Sequence, residues 1–434
     1  RSNFNMSTEL KENKLGTMPI NKLLLTTSLP LIISMLMQAM YNIVDSLFVA
    51  RVSENALTAV SLAFPVQNLM IAIGVGTGVG VNAFLSKSLG EKNKTQVDLA
   101  ANNGFFLAIM SYIVFTIVGL AFSGIYYKSQ TNIEEIIVGG EAYIRICIIG
   151  SFGLFLQILM ERLLQATGRA FLSMVTQLIG AILNIILDPI FIFGYFGMPK
   201  MGVAGAALAT IIGQIIAMIS GLILNIKLNH DITINLKGFR PDIATIKRIY
   251  SVGLPSIIMQ SVSSVMTFGM NNILMAFSST ATAVFGVYFK LQSFVIMPVL
   301  GLNNGMVPII SFNYGARQKE RILHVIKSSI IAAFCIMILG VIIFQAAPKE
   351  ILLLFDASPS MLEIGVPALR IISTHFVLAG FSIVMNAVFQ AFGKGLYSLF
   401  ASLIRQLIVL LPVAFVLSKT GVLSNVWWCF PIAE

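Results

Sequence analysis

Stretches of twenty or more residues with almost no charge recur along the whole chain, and no other feature restricts its fold as strongly. A helix rises 1.5 Å per residue, so about 20 apolar residues span a hydrocarbon core of about 30 Å. Twelve such stretches occur, eleven of them whole, at about 22–50, 55–86, 96–124, 138–161, 170–195, 203–227, 246–276, 281–312, 326–347, 362–391, 396–418 and 421–434. Composition agrees, because 57% of the residues are hydrophobic and 11% charged, against about 45–50% and about 25% in soluble domains. The expected fold class is an all-α polytopic membrane protein with twelve transmembrane helices, the last cut short at Glu434.

Charge then sets topology. A net charge of +10 would suggest nucleic acid in a soluble protein, but here the basic residues lie between apolar stretches, where they read as loops held on one side. Alternate loops carry eighteen Lys and Arg against five, which predicts a cytoplasmic N-terminus and a cytoplasmic mid-chain link, Lys227 to Tyr250. No cleavable signal precedes the first span, and Arg1–Asn5 ahead of Met6 read as cloning-derived residues. Three cysteines, Cys147, Cys335 and Cys429, supply neither a disulfide framework nor a metal site.

The two halves repeat. A shift of 225 superposes Leu29-Pro30 on Leu254-Pro255 and Gln165-Ala166-Thr167-Gly168-Arg169 on Gln390-Ala391-Phe392-Gly393-Lys394. The same shift aligns Gly76, Gly80, Gly90, Gly140 and Gly168 with Gly301, Gly305, Gly315, Gly365 and Gly393, where roughly one coincidence is expected by chance. An even number of spans per half relates the halves by an axis along the membrane normal, with a cleft between them, and that is transporter architecture. The expected organisation is a cytoplasmic segment 1–19, a first six-helix lobe 20–228, a linker 229–245 and a pseudo-symmetric second lobe 246–434.

An ionisable residue inside a span costs a few kcal/mol and is a functional candidate by default. Asp45 and Asp188 are two such residues, at similar depth in the outer parts of the first and fifth spans. Gln38, Tyr41, Asn42 and Asp45 share one helix face by their i, i+3, i+4, i+7 spacing, and Asn184 precedes Asp188 by a turn. Pro189 removes a helical N–H and so frees the Ile185 carbonyl. Thr210 and Gln214 lie a turn apart on the sixth span. This oxygen-rich set suits Na+ or a proton, whereas the bland alternative is that the polar stripes hold helices together.

Other polar groups carry less. Lys290, Arg145, Arg370 and Arg405 read as snorkelling or paired near an interface, and His230, His324 and His375 lack metal-site spacing. Met266, Met270, Asn271, Tyr288 and Met297, on the seventh and eighth spans, are candidate substrate contacts together with Gln38, Tyr41 and Asn42. The glycines from Gly74 to Gly80 lie in an apolar run without a following Gly-Lys-Ser/Thr, so they read as close packing rather than a phosphate loop.

Ser28-Leu29-Pro30, Gln165-Ala166-Thr167-Gly168, Asn184-x-x-x-Asp188-Pro189, Gly205–Thr210 and Phe430-Pro431-Ile432-Ala433-Glu434 together resemble the multidrug and toxic compound extrusion family over essentially the whole chain. The chain is most similar to its DinF-like branch, MepA-type exporters in particular. The resemblance implies cation-driven export of amphipathic, often cationic, drugs. It also implies a coupling-ion site on residues matching Asp45, Asn184, Asp188 and Thr210, which would hold Na+ or H+ without any other cofactor. The NorM-type alternative, with acids in the second lobe, is not met by Gln260-Ser261-Val262-Ser263. A lipid-linked oligosaccharide flippase of the wider superfamily is the competing reading, but it needs several cleft cations, of which Lys290 is the one plausible candidate. An enzyme is not expected, because the His and Cys inventory supplies no nucleophile or metal set. Expected partners are small drugs and membrane lipids, with no nucleic acid, for a monomer in the plasma membrane.

Overall fold

The computed structural model describes residues 13–354 and 358–434, so Arg1–Asn5, Lys11 and the rest of the first twelve residues lie outside it. Among the described residues all regular structure is helical. Among the described residues nine helices are long and apolar enough to cross a membrane, or eleven when two bent pairs each count as one span. We number the spans in chain order. The N-lobe holds α1 Ile20–Ala50, α2 Glu54–Gly90, α3 Lys94–Gln130, α4 Glu134–Ile149 continued by Ser151–Ala166, α5 Ala170–Phe193 and α6 Val203–Leu228. The C-lobe holds α7 Ile243–Met275, α8 Ser279–Gly315, α9 Lys319–Ala346, α10 Pro359–Ser373 continued by Phe376–Ala391 and α11 Gly395–Ser418, with α12 seen as the turns Leu423–Val426 and Cys429–Ala433. Several helices outrun their apolar stretches. For example, α4 continues to Ala166 and α9 begins at Lys319, because charged and polar residues at the edge of the hydrocarbon still complete helical turns.

The sequence repeat reappears as repeated contacts. Ser53 caps α2 by accepting from the Ala56 amide at 3.0 Å, and Ser278 caps α8 by accepting from Ala281 at 3.1 Å. Deep in each lobe Ser86 donates to the Ala166 carbonyl and Ser311 to the Ala391 carbonyl, both at 2.7 Å. The bends match as well, with α4 turning by 46° at Gly150 and α10 by 52° at Thr374-His375. Gly150 is required there, since a Cβ would lie 2.5 Å from the Ile211 side chain of α6.

The aligned glycines explain how the lobes meet. A Cβ on Gly90 would stand 1.9 Å from the Phe312 carbonyl oxygen, and one on its mirror Gly315 would stand 2.0 Å from that of Lys87. Gly80 faces the Ile249 carbonyl and Gly305 faces the Ser28 backbone in the same way. Backbone therefore lies on backbone where α2 crosses α7 and α8, and where α1 crosses α8. This closes a seam along the basic end of the bundle, the end that carries Lys87, Lys92, Lys94, Arg317, Lys319 and Arg321.

Two crossed straps cover the seam. The single turn Lys14–Thr17, which leads into α1, is held by the C-lobe. Asn313 donates to the Leu15 carbonyl at 2.9 Å, and Arg321 donates to the carbonyls of Leu15 and Met18 at 3.0 and 2.8 Å. The linker leading into α7 is held by the N-lobe helix α3 instead. Asp98 accepts from the Thr233 amide at 2.9 Å, Asn102 pairs with Thr233 and Asn235, and Asn103 accepts from the Asp242 amide at 3.0 Å. Each lobe's entry is thus fastened to the other lobe.

Candidate coupling site and central cleft

The polar centre of the N-lobe forms where α1, α5 and α6 pack together. Asp188 is fully buried on α5 and Asp45 is 9% exposed on α1, and the two carboxyl groups lie close enough to act on each other electrostatically. Two ionised carboxylates in this position repel each other, because neither has a donor to offer, and a proton or cation between them would remove the repulsion. Asn184, one turn before Asp188, donates to the Thr210 hydroxyl at 3.3 Å, and Thr210 in turn donates to the Ala206 carbonyl at 3.0 Å. Four buried oxygens here receive no protein hydrogen bond: Asp45 Oδ1, both carboxylate oxygens of Asp188 and Asn184 Oδ1. Buried acceptors are rarely left this way, since each costs about 1–3 kcal/mol unless something else satisfies it. Oxygen-only donors on three helices fit a hard monovalent cation or a proton. No cluster of three or more His, Cys, Asp or Glu suited to a metal ion occurs among the described residues.

A second layer surrounds the acids. Gln67 of α2 donates to the Tyr143 hydroxyl of α4 at 3.1 Å and reaches the Cys147 sulfur at 3.7 Å. Tyr41 lies half-buried within the electrostatic reach of Asp45, Glu161 and Asp188. On the same face of α1, Gln38 is half-buried and Asn42 exposed. Gln67, Tyr143 and Cys147 carried no signal in the sequence, because an amide, a phenol and a thiol are each unremarkable in a span and only the fold brings them together.

The C-lobe wall of the cleft bounds a cavity of about 410 Å³, lined by Met35 of α1 and by Met266, Phe289, Met297, Phe430 and Glu434 among others. Met266 and Met297 therefore face the cleft, while Met270 and Tyr288 are fully buried in the lobe core. The Tyr288 ring packs against Phe285, Phe289 and Phe430. Asn271 is half-buried on α7. An acid also stands in this lobe, at a position the sequence did not single out. Glu434 sits 3.2 Å from the Arg405 guanidinium and accepts from Ser382 at 3.5 Å. Arg405 and Gln406 are presented by a π-helical turn, Ile404–Leu410 within α11, a distortion that commonly marks functional positions. Of the other cations considered, Arg145 pairs with Glu141 at 3.6 Å, whereas Lys290 and Arg370 are exposed. His375 is buried at the bend of α10 with Nδ1 against the Ile372 carbonyl.

Known proteins match this chain in sequence and fold. A family model described as MatE matches residues 30–190 and again 255–416, one match per lobe. Multidrug export protein MepA of Staphylococcus aureus (strain MRSA252) is 26% identical over 417 residues, covering 96% of this chain and 91% of that protein. The MepA protein of Staphylococcus haemolyticus is 27% identical over 416 residues, with the same coverage. A solved structure described as the outward-facing conformation of a multidrug resistance MATE family transporter of the MOP superfamily superposes with a TM-score of 0.90 at 27% identity, over 98% of this chain and 94% of that one.

Proposed function

The chain belongs to the MatE family and is a membrane transporter rather than an enzyme, and from that premise we propose that it exports amphipathic, cationic drugs in exchange for Na+ or H+. The observation that carries this reading is the buried Asp45–Asp188 pair, whose three unpartnered carboxylate oxygens stand beside the unpartnered amide oxygen of Asn184. Two like charges about 4 Å apart repel by roughly 4 kcal/mol at a protein-like effective dielectric. Each 1.4 kcal/mol is tenfold in population, so filling the site can move a two-state lobe by two to three decades.

Either cation bound between the carboxylates removes the repulsion and lets α1, α5 and α6 close together. The Met35 end of α1 forms part of the cleft wall, so closure reshapes the surface against which a drug packs and lowers its affinity. The cation enters as the drug leaves, and the halves then exchange access by rocking about the glycine seam. The eighteen-to-five charge asymmetry supports a cytoplasmic basic end, so the seam seals the cytoplasmic side and the cleft faces outward, in the cell membrane. Met266 and Met297 serve the drug, while Asp45, Asn184, Asp188 and Thr210 serve the ion.

The test is export of a fluorescent cationic dye from proteoliposomes under an imposed Na+ gradient and, separately, an imposed H+ gradient. Transport driven by one gradient identifies the ion, and transport driven by neither overturns the reading.

A further inference from the structure

Beneath the 410 Å³ cavity, and sharing Ser263, Leu300, Arg405 and Gln406 with it, lies a second cavity of about 270 Å³. Arg162 of the N-lobe and Arg405 of the C-lobe both line it, and no carboxylate does. Its remaining polar lining is neutral, chiefly amides such as Gln260, Asn304, Gln390 and Gln406. Arg162 at the tail of α4 counts as a loop charge in the sequence, yet in the fold it is 8% exposed. It forms no ion pair among the described residues. One guanidinium nitrogen donates to the amide oxygens of Gln165 and Asn304, at 3.2 and 3.3 Å. The nearest acid in sequence, Glu161, instead accepts from Gln157 at 3.0 Å. Arg405 gives a single nitrogen to Glu434. Most of the N–H groups on both guanidiniums are therefore uncommitted to a carboxylate.

A guanidinium is the side chain best shaped to take a carboxylate or phosphate through paired N–H bonds, and Arg162, whose hydrogen bonds go only to neutral amides, keeps N–H groups for one. Two guanidiniums on opposite walls of one cavity are a receptor for an oxyanion. We propose that this floor of the cleft is an oxyanion subsite, which takes the carboxylate or phosphate of an amphipathic substrate between Arg162 and Arg405 while its apolar body lies among Met266, Phe289 and Met297 above. The proposal rests on the drug-export reading and extends its substrate class from simple cations to zwitterions and amphipathic anions.

A matched pair of dyes tests it: a rhodamine as the free acid and as its ethyl ester, which carry the same cationic ring system and differ in the carboxylate. Titrated into the detergent-solubilised wild-type chain, the acid should bind about tenfold more tightly than the ester. Arg162→Gln should remove that preference and leave ester affinity within about twofold, and Arg162→Lys should restore part of it. Asn304→Asp, which sets an internal carboxylate beside Arg162, should also remove it, and this variant serves if Arg162→Gln does not fold. Competition with a short-chain phosphatidylglycerol separates the two sources of oxyanion. Displacement of the acid alone assigns the subsite to a lipid phosphate, and undisturbed binding assigns it to soluble carboxylates. Equal wild-type affinity for acid and ester overturns the proposal. So does equal weakening of both dyes by Arg162→Gln, which would make Arg162 a tie between the lobes through Asn304. If neither dye binds, the export reading itself fails.

Discussion

Each lobe buries carboxylate near the cleft, and the two lobes treat it in opposite ways. In the N-lobe Asp45 and Asp188 lie together with no salt-bridge partner among the described residues and three of their carboxylate oxygens unpartnered. In the C-lobe Glu434 is held by Arg405 and Ser382. A pair whose charge is already balanced has little to gain from an external cation, whereas a pair that repels gains most of the interaction energy on binding one. The comparison teaches that the lobes differ in charge balance, and on the proposed reading the unbalanced lobe couples the ion while the balanced one contacts the drug.

The sharpest way to break this division is to unload the N-lobe pair. Asp188→Asn and Asp45→Asn should each lower gradient-driven efflux by at least a hundredfold while the protein stays folded and still binds dye. Near wild-type pumping by Asp188→Asn under both gradients would move the coupling site elsewhere.

A smaller effect is expected at the seam, where the lobes are alike. Gly90→Ala and Gly315→Ala place a methyl 1.9 and 2.0 Å from facing backbone carbonyl oxygens, a clash that backbone can relieve only by separating the lobes. Both should cut transport by roughly tenfold, and cysteines beside the basic-end seam should become more accessible to thiol reagents. Strong loss in one variant without the other would show that the halves do not share the load.

Smaller still should be the C-lobe wall. Met266→Ala and Met297→Ala should change dye affinity by about two- to fivefold, unequally between dyes, with the dependence on the gradient unaltered. A uniform loss of coupled transport with unchanged dye binding would erase the contrast between the lobes. The smallest effect belongs to the mirrored hydrogen bonds. Ser86→Ala and Ser311→Ala should each cost about 1 kcal/mol of stability, read as similar falls in thermal unfolding temperature.

The spans, the repeat and the two N-lobe acids were legible because each is a local or periodic signal. Apolar length reports helices, a constant offset reports duplication, and a charge without a neighbouring opposite charge is conspicuous in a greasy run. Arg162 was hidden because it follows an apolar stretch closely and looks like the loop charges beyond it, while the helix continues to Ala166 and carries it inward. Arg405 read as snorkelling or paired, but its partner Glu434 was hidden for a different reason: the two compensate each other across a separation of 29 residues, and compensation is a property of the folded pair. Periodicity put Met270 and Tyr288 on helix faces, but which face meets the cleft depends on neighbours the pattern does not contain.

The crossed straps bear on how the molecule is made. The turn before α1 is held twice: its cap Asn13 donates to the Thr167 carbonyl of its own lobe at 2.8 Å, and Asn313 and Arg321, 298 to 306 residues further along the chain, bond its Leu15 carbonyl. During synthesis the leading turn of the first helix can be tied to its own lobe through Asn13, while its bonds to the C-lobe wait for α8 and α9 to emerge. The linker has no such wait, because its anchor α3 is already in place when it leaves the ribosome. The barrier on the basic side is thus completed late, after most of the C-lobe has been inserted. A half-made chain lacks the C-lobe side of the glycine seam and so has no closed barrier at its basic end.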